Sequence, residues 1–592
     1  MDHADRFRRR ADIADALGEQ VGLMPLPDIA VIADPHFHDI TYRPGGSGES
    51  AFRSLADTCG STRVFNESYP ALTALLDDIV RRGIRIVVIA GDLSDDGQMT
   101  TMASACRLLR RYSVEHGLRF FATPGNHDLY SMHGREHSKL FVNGDGSQTL
   151  VTSDPAALAE GADGLVLTQE MHCAGYPQAL DMMKEFGFFR RPDFLHWETP
   201  FGTDDDLSRR SFDMRSADGS LKTSMVDASY LVEPVEGLWI LSIDANVFEP
   251  RDGAKNLIEE KSYLDSTDAG WNSMLRNKPF ILDWMTNVAR RARQQNKRLL
   301  AVSHYPLLNP MNGTAEAEAK LLGKTGFVRR SPSREAEMAA VATGVRVHFS
   351  GHLHVNDTGV MRDGDDFTVN IAVPSTVSFP PAYKVVSFEG TTLNVETAMV
   401  SDVPGFDAAF GAYRSETAHS GADFDQVLEA DSYVDFLERV LTKSVTSRYF
   451  EKEWPQDLAV LMQRLRVGDF VHLAESRPLL TADAAAASAE DRDNHLRGLD
   501  VVADWYRLRT ARELAFRVIA PERILLYRSL ADRFGATDWP DWSVQGKLAA
   551  FFDIMRRYMD GQPSDRFSVD LESGDVVALP LGRTLLRQTG TA

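Results

Sequence analysis

Ile84-Arg85-Ile86-Val87-Val88-Ile89-Ala90-Gly91-Asp92 is the stretch that decides how this chain is read. A short apolar run rich in Val and Ile, closed by a glycine and a carboxylate, is the pattern of a buried strand whose tip carries a polar side chain. Ile29 to Ala33, Leu118 to Ala122, Leu238 to Ile243, Leu299 to Val302 and Val345 to Phe349 repeat it, each ending beside a polar cluster. Between Ala33 and Ile84, residues Leu72, Leu75, Leu76, Ile79 and Val80 fall at helical spacing before Gly83. That suits a crossover helix with a glycine stop. Strand and helix alternating from Asp28 to about Val400 predict an α/β fold.

The rhythm breaks from Leu129 to about Val235, where Gly, Asp and Ser abound beside the aromatic cluster Phe186, Phe188, Phe189, Phe194 and Trp197. A long insertion in an α/β core is usually functional or disordered. The expectation is a cap-like, substrate-facing insertion around 130–235 within a domain spanning 28–400. Residues 1–27 read as an N-terminal extension and the turn-rich residues 401–422 as a linker. Residues 423–592 read as a mainly α-helical domain, from stripes such as Val434, Leu437, Val440 and Leu441, then Leu499, Val502, Trp505 and Leu508. The alanine-rich stretch Ala482 to Ala489 reads as a loop or weak helix, and Phe567 to Leu579 as a hairpin about Ser573-Gly574-Asp575.

Composition bounds the function. With 592 residues the chain exceeds what one core usually serves, and 43% hydrophobic with 25% charged residues is ordinary for a globular protein. A net charge of −21 repels polyanions and weighs against long DNA or RNA as a partner, though a local cationic site still attracts a small phosphate. Cys59, Cys106 and Cys173 lie far apart without a C-x-x-C pattern, so reduced structural thiols are expected. No signal-peptide core follows Arg8-Arg9-Arg10 and no run approaches the ~20 apolar residues of a membrane span, so the expected location is cytoplasmic.

The polar clusters that close the strands carry the chemistry. In chain order they are Asp34-Pro35-His36, Gly91-Asp92, Gly125-Asn126-His127-Asp128, Ser303-His304-Tyr305-Pro306 and Gly351-His352-Leu353-His354. Alternation along an extended strand would put Asp34 and His36 on one side, and His352 with His354 likewise. At the carboxyl ends of strands such residues converge on the crevice where ligands bind. Oxygen from Asp and Asn with nitrogen from His suits manganese, iron, zinc, cobalt or nickel, without the thiolates of a structural zinc site. Two divalent ions held this way clamp the attacking and leaving oxygens of a phosphoester. A lone Gly-Asp says nearly nothing; the ordered set specifies a site that no member does.

That ordered set, D-x-H, G-D, G-N-H-D, S-H-x-P and G-H-x-H, resembles the calcineurin-like metallophosphoesterases from about residue 28 to 400. The resemblance implies a four-layer fold, two mixed β-sheets packed together and flanked by helices. It implies that Asp34, His36 and His354 hold one ion with Asp92, and that Asn126, His304 and His352 hold the second with the same bridging Asp92. Phosphate esters would then be hydrolysed by a metal-bound hydroxide. His127 is similar to the family's histidine that stabilises the transition state or protonates the leaving oxygen, and Asp128 would fix its orientation. His38, His133, His137, His172, His196 and His348 receive no such role, although His133 and His137 follow the third motif closely enough to reach substrate.

Departures from the family's branches narrow the substrate. Gly91-Asp92-Leu93-Ser94-Asp95-Asp96-Gly97 lacks the arginine of the protein phosphatases, with Asp96 in its place, and Asp95 stands where purple acid phosphatases carry a metal-binding tyrosine. The segment looks instead like that of bacterial cyclic nucleotide phosphodiesterases and glycerophosphodiesterases, and a helical C-terminal domain is similar to larger members of that group. The expectation is therefore a phosphodiesterase acting on small diesters such as cyclic nucleotides. Carboxylates at Asp95, Asp96 and Asp128 would favour a singly charged diester over a monoester. The alternatives are a phosphomonoesterase or a nucleotide or lipid pyrophosphatase with the same metal site, or, in another class, a silent scaffold that binds a protein partner.

Overall fold

The computed structural model describes residues 25–46, 51–160, 164–475 and 496–580. Arg8 to Arg10 and the stretch Ala482 to Ala489 lie outside the described residues.

The apolar runs form strands. Six of them are β1 (Ile29–Ile32), β2 (Ile86–Ile89), β3 (Arg119–Ala122), β4 (Leu238–Ile243), β5 (Arg298–Ser303) and β6 (Val347–Ser350), and all but β4 lead into the site. β1, β2 and β3 pair in parallel, with Ile29 opposite Ile86 and Ile86 opposite Arg119. The helix Ser68–Arg81 makes the predicted crossover from β1 to β2, burying Leu72, Leu75, Leu76 and Ile79. Gly83, just beyond it, sits at φ 73°, a conformation that costs glycine least. Strands buried on both faces need no alternation, which is why these read as continuous Val and Ile runs.

Two mixed sheets result, each seven-stranded. The first runs Val576–Ala578, Arg566–Asp570, Thr392–Met399, Ala382–Glu389, β1, β2, β3; the second runs Asp357–Asp363, Asp366–Ala372, β6, β5, β4, Tyr230–Val235, His196–Glu198. They pack on one another with helices outside. At the join Tyr230 and Ser242 donate to the carbonyl of Ala122 at 2.9 and 3.2 Å, and Thr123 donates to that of Ile243 at 3.0 Å. Side chains of both sheets and of the C-terminal helices form one continuous apolar core. Each fully buried Val, Leu or Ile contributes about 1.5–3 kcal/mol.

The stretch 130–235 adds a small sheet at Ser138–Val142, Gln148–Thr152 and Val166–Leu167, and a hairpin at Ser211–Arg215 and Lys222–Val226. Its aromatic cluster does not face an open surface: Phe186, Phe188 and Trp197 are buried in the main core. A helix, Phe410–Ser420, lies within the turn-rich residues 401–422. Glu416 accepts from the backbone amides of Leu55 and Ala56, and Tyr413 donates to Glu67 at 2.8 Å. The region beyond is mainly helical. Its buried cations tie it to the α/β part: Arg509 meets Glu318, and Arg512 Nε meets Asp357 at 2.8 Å. The predicted hairpin forms at Arg566–Asp570 and Val576–Ala578 and extends the first sheet through Thr392–Met399. Among the described residues no helix is long and apolar enough to cross a membrane.

Candidate metal centre

Every residue expected at the site leaves the carboxyl end of a strand: Asp34 and His36 follow β1, Asp92 follows β2, Asn126 and His127 follow β3, His304 follows β5, and His352 and His354 follow β6. The paired motifs do not converge by extended alternation. Asp34, His36, Asp92, His352 and His354 have φ of 51°, 41°, 51°, 71° and 54°. Each is a left-handed conformation costing a non-glycine residue about 1–3 kcal/mol, held only where the surroundings over-determine it. The chain coils out of each strand immediately and so aims successive side chains inward. Two motif glycines are demanded by close approach. A Cβ on Gly125 would lie 2.1 Å from Asp92 Oδ1, and one on Gly351 2.4 Å from Asp34 Oδ2.

The donor atoms meet in a dry cluster, all seven candidate ligands being buried. His36 Nε2 lies 3.0 Å from His354 Nε2 and 3.6 Å from Asp92 Oδ2, and His354 Nε2 lies 3.6 Å from Asp34 Oδ1. His304 Nε2 lies 3.2 Å from Asp92 Oδ2, 3.1 Å from Asn126 Oδ1 and 3.2 Å from His352 Nδ1. Asp34 also accepts from the amide of His352 at 3.0 Å, and Asp92 from that of His127 at 2.8 Å. Asp34, His36 and His354 form one group able to hold an ion, and Asp92, His304 and His352 another.

Tautomers show what the cluster lacks. His304 Nδ1 donates to the Ala90 carbonyl at 3.0 Å and His352 Nε2 to that of Thr267 at 3.0 Å. Their other ring nitrogens, His304 Nε2 and His352 Nδ1, therefore turn lone pairs on one another, and His304 Nε2 also faces Asn126 Oδ1 and Asp92 Oδ2, which are acceptors too. Acceptors facing one another at 3.0–3.6 Å need a cation between them. Such spacings match the edges, about 3.0–3.4 Å, of an octahedron or tetrahedron whose ligand bonds are about 2.1 Å. The residues present therefore fit divalent ions. In the bare protein a proton does part of that work: burial opposes it, yet the Asp92 and Asp34 carboxylates push His304 up to about 9. Burial drives His354 down to about 3, with Arg63 adding to the effect. Burial likewise works against Asp92, but the His304, His127 and His36 imidazoles hold it well below the usual carboxylate range.

The partner expected for His127 is different in the structure. His127 Nδ1 meets Asp96 Oδ1 at 2.7 Å, whereas Asp128 spends its oxygens on the amides of Ser94 and Gly125, both at 2.9 Å. Asp128 thus ties the second motif loop to the third and cannot also turn toward the ring. Nor are Asp95 and Asp96 free negative charge. Lys139 bonds both, at 2.7 Å to Asp96, and Arg63 Nη2 lies 2.9 Å from Asp95 Oδ1 and 3.7 Å from Asp96 Oδ1. The charge argument for diesters drawn from the sequence loses its basis here. Arg63 and Lys139 stand in no motif, so sequence reasoning missed both. Of the remaining histidines, His137 Nε2 lies 3.5 Å from Asp96 Oδ2, His133 is exposed, and His348 is a core residue bonded to Ser303 and Asn370.

Two clefts adjoin the cluster. One, of about 310 Å³, starts at His352, His354 and Arg63 and runs out to the C-terminal helices. The other, of about 360 Å³, starts at Asn126 and His127 and passes Tyr130, Arg135 and Lys261.

The model of a family described as calcineurin-like phosphoesterase matches residues 27–209, the segment that holds the first three motifs. Among solved structures, the chain is similar to a dimetal phosphatase from Danio rerio at 13% identity, over 64% of this chain and 97% of that one, with a TM-score of 0.32. It is similar to a purple acid phosphatase from yellow lupin (Lupinus luteus) seeds at 11% identity, over 64% of this chain and 52% of that one, with a TM-score of 0.30. It is also similar to phosphopantetheinyl hydrolase from Mycobacterium tuberculosis at 14% identity, over 60% of this chain and 91% of that one, with a TM-score of 0.24. No curated protein matches the sequence. The matched segment, residues 27–209, supplies one half of the cluster and the second sheet delivers the other, so over that segment the chain matches the calcineurin-like phosphoesterase family.

Proposed function

We propose that the chain is a dinuclear metal-dependent phosphodiesterase. Asp34, His36 and His354 would hold one ion, Asn126, His304 and His352 the other, with Asp92 bridging. Bound there, two such ions supply a Lewis acid for the phosphoryl oxygens and lower the pKa of water toward about 7. His127 is the proton carrier: Asp96 accepts from its Nδ1–H, so Nε2 is the atom that gives a proton to the leaving oxygen as the phosphorus–oxygen bond breaks. Arg63 and Lys139 neutralise Asp95 and Asp96, which leaves Asp96 free to orient the ring rather than repel the substrate.

The observation that favours a diester is that two clefts adjoin the cluster, one at His352 and His354 and one at Asn126 and His127. A diester has a group for each, and a monoester would leave one unused. The same arrangement favours open diesters over cyclic nucleotides, whose two ester oxygens belong to one sugar. The test is kcat/KM for bis-p-nitrophenyl phosphate against p-nitrophenyl phosphate, and then for 2′,3′- and 3′,5′-cyclic nucleotides, with the same added metal throughout. The bis ester should be preferred. A monoester preference of about tenfold or more, about 1.4 kcal/mol in transition-state binding, overturns the diesterase reading.

A further inference from the structure

In a protein of net charge −21, the cleft beside His352 and His354 runs against the general sign. Its outer wall comes from the C-terminal helices and carries Arg448, Lys452 and Arg509, while Lys324 faces them from the α/β part. Arg509 is committed to Glu318 and Glu453. Arg448 makes no ion pair among the described residues: Nη1 donates to the Gly60 carbonyl at 3.2 Å and Nε is buried without a partner. Lys324 and Lys452, both exposed, likewise have no ion pair among the described residues. The carboxylate in this lining, Glu453, is taken by Arg509 and by the Tyr506 hydroxyl. Phe379, Val440 and Leu441 give the same cleft an apolar part.

The backbone that presents Arg448 is irregular. The helix Tyr433–Ser444 passes into a π-helical turn, Val445–Tyr449, a form that occurs mostly as single turns at functional sites. Ser444 and Ser447 both donate to the Cys59 carbonyl, at 3.0 and 2.7 Å. The turn is thus fastened to the loop that leads to Arg63, and so to the groups around His127.

We infer that Arg448 and Lys452 form a subsite for a second phosphate of the substrate, carried in the same cleft as the scissile diester at His352 and His354. This rests on the diesterase reading above. It makes the C-terminal helices a wall that selects substrate. The test compares thymidine 5′-(p-nitrophenyl phosphate) with the same compound carrying a 3′-phosphate. In the wild-type protein the added phosphate should raise kcat/KM about tenfold or more, the scale of a charge-assisted hydrogen bond or two. The double variant Arg448→Gln/Lys452→Gln should lose that ratio, and Arg448→Lys should keep most of it. Lys222→Gln, a charge change in the hairpin away from this cleft, should keep all of it. Equal efficiency on both compounds in the wild type, or a ratio that survives the double variant, overturns the subsite alone. Hydrolysis of neither compound, with bis-p-nitrophenyl phosphate also left intact, overturns the diesterase reading and the subsite with it.

Discussion

Asp92 faces both halves of the cluster, with Oδ2 3.2 Å from His304 Nε2 and 3.6 Å from His36 Nε2. Asp92→Ala should therefore strip more metal than any other single change among the candidate ligands, as elemental analysis of metal-supplied protein would read; a fully loaded variant would refute the bridge. His127→Ala should keep its metal and fall by about a hundredfold or more in kcat, the usual scale when transition-state stabilisation is removed and every metal ligand stays in place. The fall should be smallest for esters with good leaving groups, which need least proton donation. An unchanged kcat would make His127 structural. The cluster itself was legible because each motif sits at a strand end and its spacing is local. The partner of His127 was not. Asp96 and Asp128 are both near in sequence, and only the fold of the loop, which engages Asp128 with Ser94 and Gly125, decides which carboxylate reaches the ring.

The helix Phe410–Ser420 is an element the sequence conceals. Its buried positions are Phe410, Tyr413 and Glu416, a stripe too short and too polar to announce itself among turn residues. The Val and Ile runs, buried on both faces, were plain by comparison, and so was the hairpin about Gly574. The docking of this helix has a pH signature. Tyr413 donates to Glu67 Oε1, while Oε2 is buried without a partner, and burial pushes the Glu67 carboxyl up to about 7 against the help of that bond. A carboxyl whose folded pKa is raised favours folding in its protonated form. Its contribution is complete below the unfolded pKa near 4.5 and lost as pH rises through about 7. Glu67→Gln, neutral throughout, should thus raise the melting temperature at pH 8 by more than at pH 5, each pKa unit being about 1.4 kcal/mol. A shift equal at both pH values would show that Glu67 titrates normally.

On the scale of the whole molecule, the helical part is joined to the α/β part by buried charge and by a sheet. Removing one partner of a buried ion pair costs about 3–5 kcal/mol, and ending the chain at residue 422 would orphan both Glu318 and Asp357 at once. It would also bare the apolar core that the helices share. Such a chain should be insoluble or melt far below the intact protein, as soluble yield and thermal unfolding would report. A soluble product with an undiminished melting temperature would mean that the two parts fold independently. The pairing of Thr392–Met399 with Arg566–Asp570 has a further consequence, in time rather than in space. Roughly 170 residues separate the two strands, a delay of roughly 10–30 s at synthesis rates of about 5–20 residues/s. Until the later strand emerges from the ribosome, the earlier one is an open edge, able to recruit a strand from a neighbouring nascent chain. Crowded polysomes are where this protein is most exposed to misassembly, and slower initiation, which spaces the ribosomes, should raise its folded yield more than slower elongation, which lengthens the wait.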